Sequence, residues 1–180
     1  MTTEIGSSSL ASLEYYPCID GDGEIISEFQ GKIGVYAIFN QDKILTFIGY
    51  SRDIYFSLMQ HLVRQYENCY WIKVQTIERP QRTILENIEK AWIQENPGYM
   101  ADIEDRKKWI NPIDVKPLMT AEEKNNYDNL AIDDLAKSKV LKNVARRVEQ
   151  EILAVLVARG VKTQIRFNPK LKEVGLLDLK

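Results

Sequence analysis

KIGVYAIF at residues 32–39 and KILTFIGY at residues 43–50 are two runs rich in β-branched and aromatic residues, separated by Asn40, Gln41 and Asp42. Runs of this kind around a short polar loop read as a β-hairpin. Ser51 to Asp53 then caps a helix to about Tyr66, in which Ile54, Leu58, His61, Leu62 and Gln65 recur at three-to-four spacing. Cys69 to Ile77 (CYWIKVQTI) has the composition of a third strand. A second helix starts at Pro80 and runs to about Glu95, with Ile84, Leu85, Ile88, Ala91 and Trp92 on one stripe and Asn96-Pro97-Gly98 as its stop. This ββαβα unit predicts an α+β fold, a small antiparallel or mixed sheet flanked by helices.

Outward from that unit, which occupies residues 31–100, the pattern loosens. Residues 1–30 read as a polar arm and an irregular lead-in, punctuated by Pro17, Gly21 and Gly23. Residues 101–180 read as a mainly helical extension ending in a short strand. Its first part is charged and broken at Asn111-Pro112 and Lys116-Pro117, and Thr120-Ala-Glu-Glu123 is a capping box at the start of a short helix. A long helix is expected from Asp134 to Arg159, stopped by Gly160. Val161–Phe167 reads as a strand and Lys170–Lys180 as a final extended piece.

Composition narrows the function classes. A chain of 180 residues, 44% apolar, can bury a core without disulfides or a structural metal. The longest apolar run, Ile152–Ala158, falls far short of the roughly 20 residues that span a bilayer, so no membrane insertion is expected and the location is read as cytoplasmic. Cys18 and Cys69 are too few for a disulfide scaffold, and one histidine, His61, cannot build a histidine-rich metal centre. Any metal would use carboxylates. Net charge is −2, with no Lys or Arg in the first thirty residues. That balance leaves no broad basic surface for a polyanion. A partner, protein or nucleic acid, would therefore be held through a local patch, for which Lys139, Lys142, Arg146 and Arg147 on the long helix are the candidates.

Gly34-Val35-Tyr36 on the first strand and Phe47-Ile48-Gly49 on the second, then His61 on the next helix, and Glu89-Lys-Ala-Trp-Ile93 ahead of Asn96-Pro97-Gly98-Tyr99, form a series that resembles the GIY-YIG nuclease superfamily. The resemblance covers about residues 32–99. It implies that Tyr36 helps position or deprotonate an attacking water, that Phe47 replaces a second site tyrosine, that His61 fills a basic position, and that Glu89 binds Mg2+ or Mn2+ if the protein is active, with no cofactor otherwise. A single carboxylate suits a magnesium that keeps most of its waters. The family's arginine position, eight residues beyond Gly49, is Ser57 here. Losing one charge clamp on a phosphoryl transition state costs on the order of a thousandfold in rate.

Three functions follow as expectations. The first is a catalytically impaired member of that superfamily, a pseudoenzyme reused as a binding or scaffold domain. The second is an active divalent-metal-dependent endonuclease with an altered site. The third is a non-cleaving nucleic-acid-binding module. Plain structural roles stand beside them: sheet packing for Tyr36 and Phe47, core packing for His61, an ion pair with Arg82 for Glu89, and a solvated helix face for the basic patch.

Overall fold

The computed structural model describes residues 6–99, 102–129 and 133–180. The first five residues of the expected arm, the expected boundary between residues 100 and 101, and residues 130–132 ahead of the long helix lie outside the described residues. The chain gathers into two compact units, one ending at Trp109 and one running from Ile110 to Lys180.

The first unit is built on a four-stranded sheet with strands β1 (Tyr16–Pro17), β2 (Ile33–Phe39), β3 (Leu45–Ser51) and β4 (Trp71–Ile77) in the order β1-β4-β2-β3. Every pairing in it is antiparallel. The expected hairpin is β2–β3, with Tyr36 opposite Gly49 and Ala37 opposite Ile48. Its loop is set by Asn40, whose side-chain oxygen accepts from the amides of Asp42 (3.0 Å) and Ile44 (2.9 Å). Helix α1 (Ile54–Arg64) starts where Asp53 accepts from Phe56 N–H, and α2 (Arg82–Glu95) follows β4.

Alternation along the strands divides the core in two. Val35, Ala37, Phe39, Ile48 and Ile77 face α2 and pack with its Leu85, Ile88 and Trp92. Tyr36 and Phe47 face the other way and meet His61 of α1. Central β2 is buried for six of its seven residues, which is why it reads as an almost unbroken apolar run.

Close approach of backbone fixes one glycine. A Cβ on Gly34 would lie 2.3 Å from Gln75 O and 2.9 Å from Thr76 Cα, both backbone atoms of β4. Gly34→Ala is expected to lower stability by about 2 kcal/mol through overpacking. Gly21→Ala, with nothing within 4 Å of the added carbon, should be close to neutral. Urea titration of both variants checks the contrast, and equal midpoints would refute it.

Several expectations are corrected. Residues 8–10 are fastened rather than loose: Trp92 Nε1–H donates to Ser8 O (2.9 Å), Leu10 N–H donates to Glu95 Oε2 (2.9 Å), and Lys73 Nζ donates to Leu10 O (3.1 Å). Leu10 is itself buried in the α2 side of the core. The charged stretch after residue 101 contains a helix that the sequence reading missed, α3 (Ile103–Ile110).

In the second unit the capping box is present, with Thr120 and Glu123 each accepting from the other's backbone amide at the start of α4 (Ala121–Asp128). Helix α5 (Asp134–Ala158) follows as expected, and Gly160 beyond it takes φ +85°. Val161–Phe167 is not a strand. Only Phe167 forms a bridge, to Leu179, while α6 (Pro169–Lys172) and a short pair, β5 (Ile113–Asp114) with β6 (Leu176–Leu177), close the unit.

Candidate functional site

Four elements of the first unit bring the residues singled out in the sequence to one place. Tyr36 from β2 and His61 from α1 share a hydrogen bond, Oη to Nε2 at 2.7 Å, and each is 3% exposed. Phe47 from β3 lies against both, with ring centroids 6.1 Å from Tyr36 and 4.7 Å from His61. Gly49 makes room for this contact, because a Cβ there would stand 2.6 Å from the Phe47 ring. Ser57 donates to Ser51 Oγ at 2.7 Å and lies beside the Tyr36 phenol.

Burial dominates the electrostatics. It pushes the Tyr36 phenol far above its ordinary value, against smaller downward pulls from the Ser57 hydroxyl and the Arg106 guanidinium. The same desolvation, helped by Arg64, lowers His61 to about 3, so its ring is neutral at physiological pH. Nδ1 of that ring makes no hydrogen bond. The Trp109 carbonyl beside it accepts instead from Arg64 Nη1 at 3.0 Å.

Helix α3 completes the site. Arg106 donates through Nη2 to Glu89 Oε1 (2.8 Å) and through Nη1 to Ile48 O (2.9 Å), and its guanidinium lies over the Phe47 ring at 5.0 Å. One turn on, Trp109 stacks on Phe47 with centroids 5.0 Å apart. Tyr99 Oη accepts from Ile48 N–H at 3.2 Å. Side chains thus cover backbone groups on the open edge of β3.

Glu89 therefore pairs with Arg106, while Arg82 pairs with Glu86 at 2.7 Å. The expected Glu89–Arg82 pairing is corrected. Glu89 was also the expected ligand for Mg2+ or Mn2+, and the residues present do not fit such an ion. The one carboxylate is already matched by a guanidinium that a divalent cation would have to displace. Among the described residues no group of three or more His, Cys, Asp or Glu side chains gathers as a metal site.

The basic patch on α5 is largely spent inside the second unit. Arg147 bonds Glu123 (2.7 Å) and Glu151 (2.8 Å) and donates to Leu118 O. Lys142 faces Glu173 at 3.9 Å, which leaves Lys139 and Arg146 exposed on the helix.

A second constellation in the first unit had no counterpart in the sequence reading. Cys18 follows β1 and Cys69 precedes β4, and the antiparallel pairing of those strands sets their sulfurs 3.7 Å apart. Both are thiols, and both are fully buried. They border the interior that holds Tyr36, whose phenol a charge on Cys69 would raise further.

No protein-family model matches the chain. Its similarity to a curated protein lies with the monothiol glutaredoxins. That relative is the bifunctional monothiol glutaredoxin-S16, chloroplastic, of Arabidopsis thaliana, 25% identical over 170 residues. The match takes in 94% of this chain and 56% of the relative, so the chain spans little more than half the length of the protein it matches. The relative's name calls it bifunctional, gives one function as that of a monothiol glutaredoxin, and does not name a nuclease. On that finding the resemblance to GIY-YIG nucleases is corrected. The impaired-nuclease and active-endonuclease readings built on it are corrected with it, and so is the nucleic-acid-binding module that rested on the basic patch of α5. The site geometry agrees in one respect: a phenol and an imidazole held neutral and 3% exposed are poorly placed to activate water.

Sequence reasoning missed Arg106, Trp109 and the cysteine pair. Ile103, Arg106 and Trp109 or Ile110 recur at helical spacing, a signal for α3 that the surrounding charges mask.

Proposed function

We propose that the chain serves thiol redox chemistry as a redox-responsive domain, in which Cys18 and Cys69 pass between dithiol and disulfide. The observation that carries this reading is the 3.7 Å separation of two buried sulfurs from residues 51 positions apart. The similarity to a protein named as a monothiol glutaredoxin supports it. Both thiols are fully buried, so exchange with an external disulfide goes through local opening of the β1–β4 edge that covers them, and the pair acts as a slow responsive link and not as an exchange catalyst.

The oxidant is a low-molecular-weight disulfide. One cysteine, as thiolate, attacks a sulfur of that disulfide and forms a mixed disulfide, and the released thiolate takes up the proton. The second cysteine, deprotonated in turn, displaces the other half as a thiol. Overall the two cysteines lose two protons and two electrons, and one external disulfide becomes two thiols.

No helix among the described residues is long and apolar enough to cross a membrane. The setting for such chemistry is an aqueous compartment with a thiol pool. For this chain the composition favours the cytoplasm, while the relative's name places that protein in the chloroplast.

Equilibrating the folded chain in glutathione buffers of graded poise, followed by acid quench, alkylation and mass measurement, tests the reading. A single transition losing two hydrogens is expected, with Cys18→Ser and Cys69→Ser each giving a mixed disulfide instead. Two alkylated thiols at every poise would refute it.

A further inference from the structure

Two thiols 3.7 Å apart can be joined in two ways. A disulfide bond draws the sulfurs in to about 2.05 Å, an inward move of roughly 1.7 Å. A metal ion seated between them asks for a separation of at most about 4.6 Å, twice a metal–thiolate bond of about 2.3 Å, and so for an outward move of roughly 0.9 Å. The reduced pair stands nearer to the geometry of a metal bridge than to that of a disulfide.

From this geometry we infer that Cys18 and Cys69, as thiolates, form a two-coordinate site for a soft monovalent ion, copper(I). The inference uses only the reduced pair and does not rest on the redox reading. The supply of ligands sets the ion. Both sulfurs are fully buried, which leaves no solvent to complete a larger coordination shell. Among the described residues no group of three or more His, Cys, Asp or Glu side chains gathers there or elsewhere. Zinc in a structural site takes four ligands, and calcium and magnesium take oxygen ligands in larger number. Thiolates select copper(I), and a closed-shell monovalent ion is satisfied by two of them in line.

Charge points the same way. Two neutral thiols and one monovalent cation become a bis-thiolate complex with one net negative charge, and two protons are released. One charge spread over the complex is less costly in the interior than two separate thiolates. The frame also permits the outward move. Cys18 is held by its backbone, with its N–H donating to Tyr70 O (2.9 Å) and its carbonyl accepting from Ile26 N–H (3.1 Å), so its side-chain torsion can adjust without breaking those bonds. Strand β1 pairs with β4 at Tyr16 and Pro17 alone, and local opening of that short edge admits the ion.

The test titrates the reduced full chain, without oxygen, into the coloured copper(I) complex of bicinchoninate. One copper(I) per chain should leave the chelator. Cys18→Ser and Cys69→Ser should each bind at least about a hundredfold more weakly, beyond the usual cost of losing an outer partner. No transfer of copper, or undiminished transfer to either variant, would overturn the inference. Zinc offered as its complex with a pyridylazo dye should stay with the dye, and its withdrawal as readily as copper would refute a two-ligand site.

If the serine variants fail to fold, X-ray absorption at the copper edge of the wild-type adduct decides. Two sulfur neighbours with no nitrogen or oxygen are expected, and a shell of three or more ligands would count against the site. The two readings fail separately. Two alkylated thiols at every glutathione poise remove the redox reading and leave the copper site standing, whereas a chain that forms the disulfide and takes up no copper removes this inference alone.

Discussion

Oxidised chain should outlast reduced chain in thermal and urea unfolding by about 4 kcal/mol, the loop-closure effect expected for a cross-link between residues 51 positions apart. In a chain of this size that corresponds to roughly 10 °C in melting temperature. The gain comes from the unfolded state, which loses conformations when Cys18 and Cys69 are joined. The native state has little to give up, since Cys18 N–H already donates to Tyr70 O at 2.9 Å and holds the lead-in against β4. Scanning calorimetry of protein oxidised by glutathione disulfide, against protein kept in excess reductant, measures the difference. Cys69→Ser should show none. A lower melting temperature for the oxidised form would mean that closing the 3.7 Å gap distorts β1 by more than the chain entropy returns, and the pair would then be a poor redox link.

How far the sequence foretold this molecule depends on the range over which each feature is set. The hairpin, α1, β4 and α2 were legible because each carries its own signal: alternation or near-continuous burial in the strands, three-to-four spacing in the helices, and Asp53 at the start of α1. The capping box at Thr120 was legible for the same reason, since both of its hydrogen bonds are local. Local pattern misled where polar and apolar residues alternate without a partner strand. Val161–Phe167 has the look of a strand and lacks a ladder, apart from the single bridge at Phe167. Strands of two residues, such as β5 and β6, are too short for any period to appear. The fastening of Ser8 and Leu10 was illegible because polar residues near the amino terminus are bonded by Trp92, Glu95 and Lys73, far away in sequence.

The site divides along the same line. Tyr36, Phe47, Ser57, His61 and Glu89 were singled out from the sequence and the fold places them near one another, but the groups that decide their state come from elsewhere. Arg106 neutralises Glu89 from a helix that the sequence reading treated as a broken charged stretch. Desolvation, a property of the folded interior, sets the protonation of Tyr36 and His61. The proximity of Cys18 and Cys69 follows from β1 pairing with β4 instead of with β2, and no local pattern encodes that strand order.

The neutrality of His61 has a consequence in acid. Its folded-state pKa is lowered to about 3 from 6.5, chiefly by burial and next by the Arg64 charge, with Arg106 adding to it and the Trp109 carbonyl opposing. Between those two values the unfolded chain binds a proton that the folded chain refuses. Stability is therefore intact above pH 6.5 and falls as pH drops toward 3, by about 1.4 kcal/mol per pH unit. Across the whole window the loss is on the order of 5 kcal/mol, a large part of what holds a domain of this size together. Urea unfolding measured from pH 7 to pH 4 should show a midpoint that is level to about pH 6.5 and declines below it. His61→Gln, which carries no titrating proton, should begin less stable because it disturbs the contacts with Tyr36 and Phe47, yet stay nearly level until carboxylates begin to protonate. Glu123, held below the usual carboxylate range first by its hydrogen bond from Arg147, contributes only in that lower window, where its loss has the same sign. The two sources therefore separate on the pH axis. A His61→Gln curve that declines as steeply as wild type between pH 6.5 and 4.5 would show that another group carries the titration and that His61 accepts its proton in the folded state.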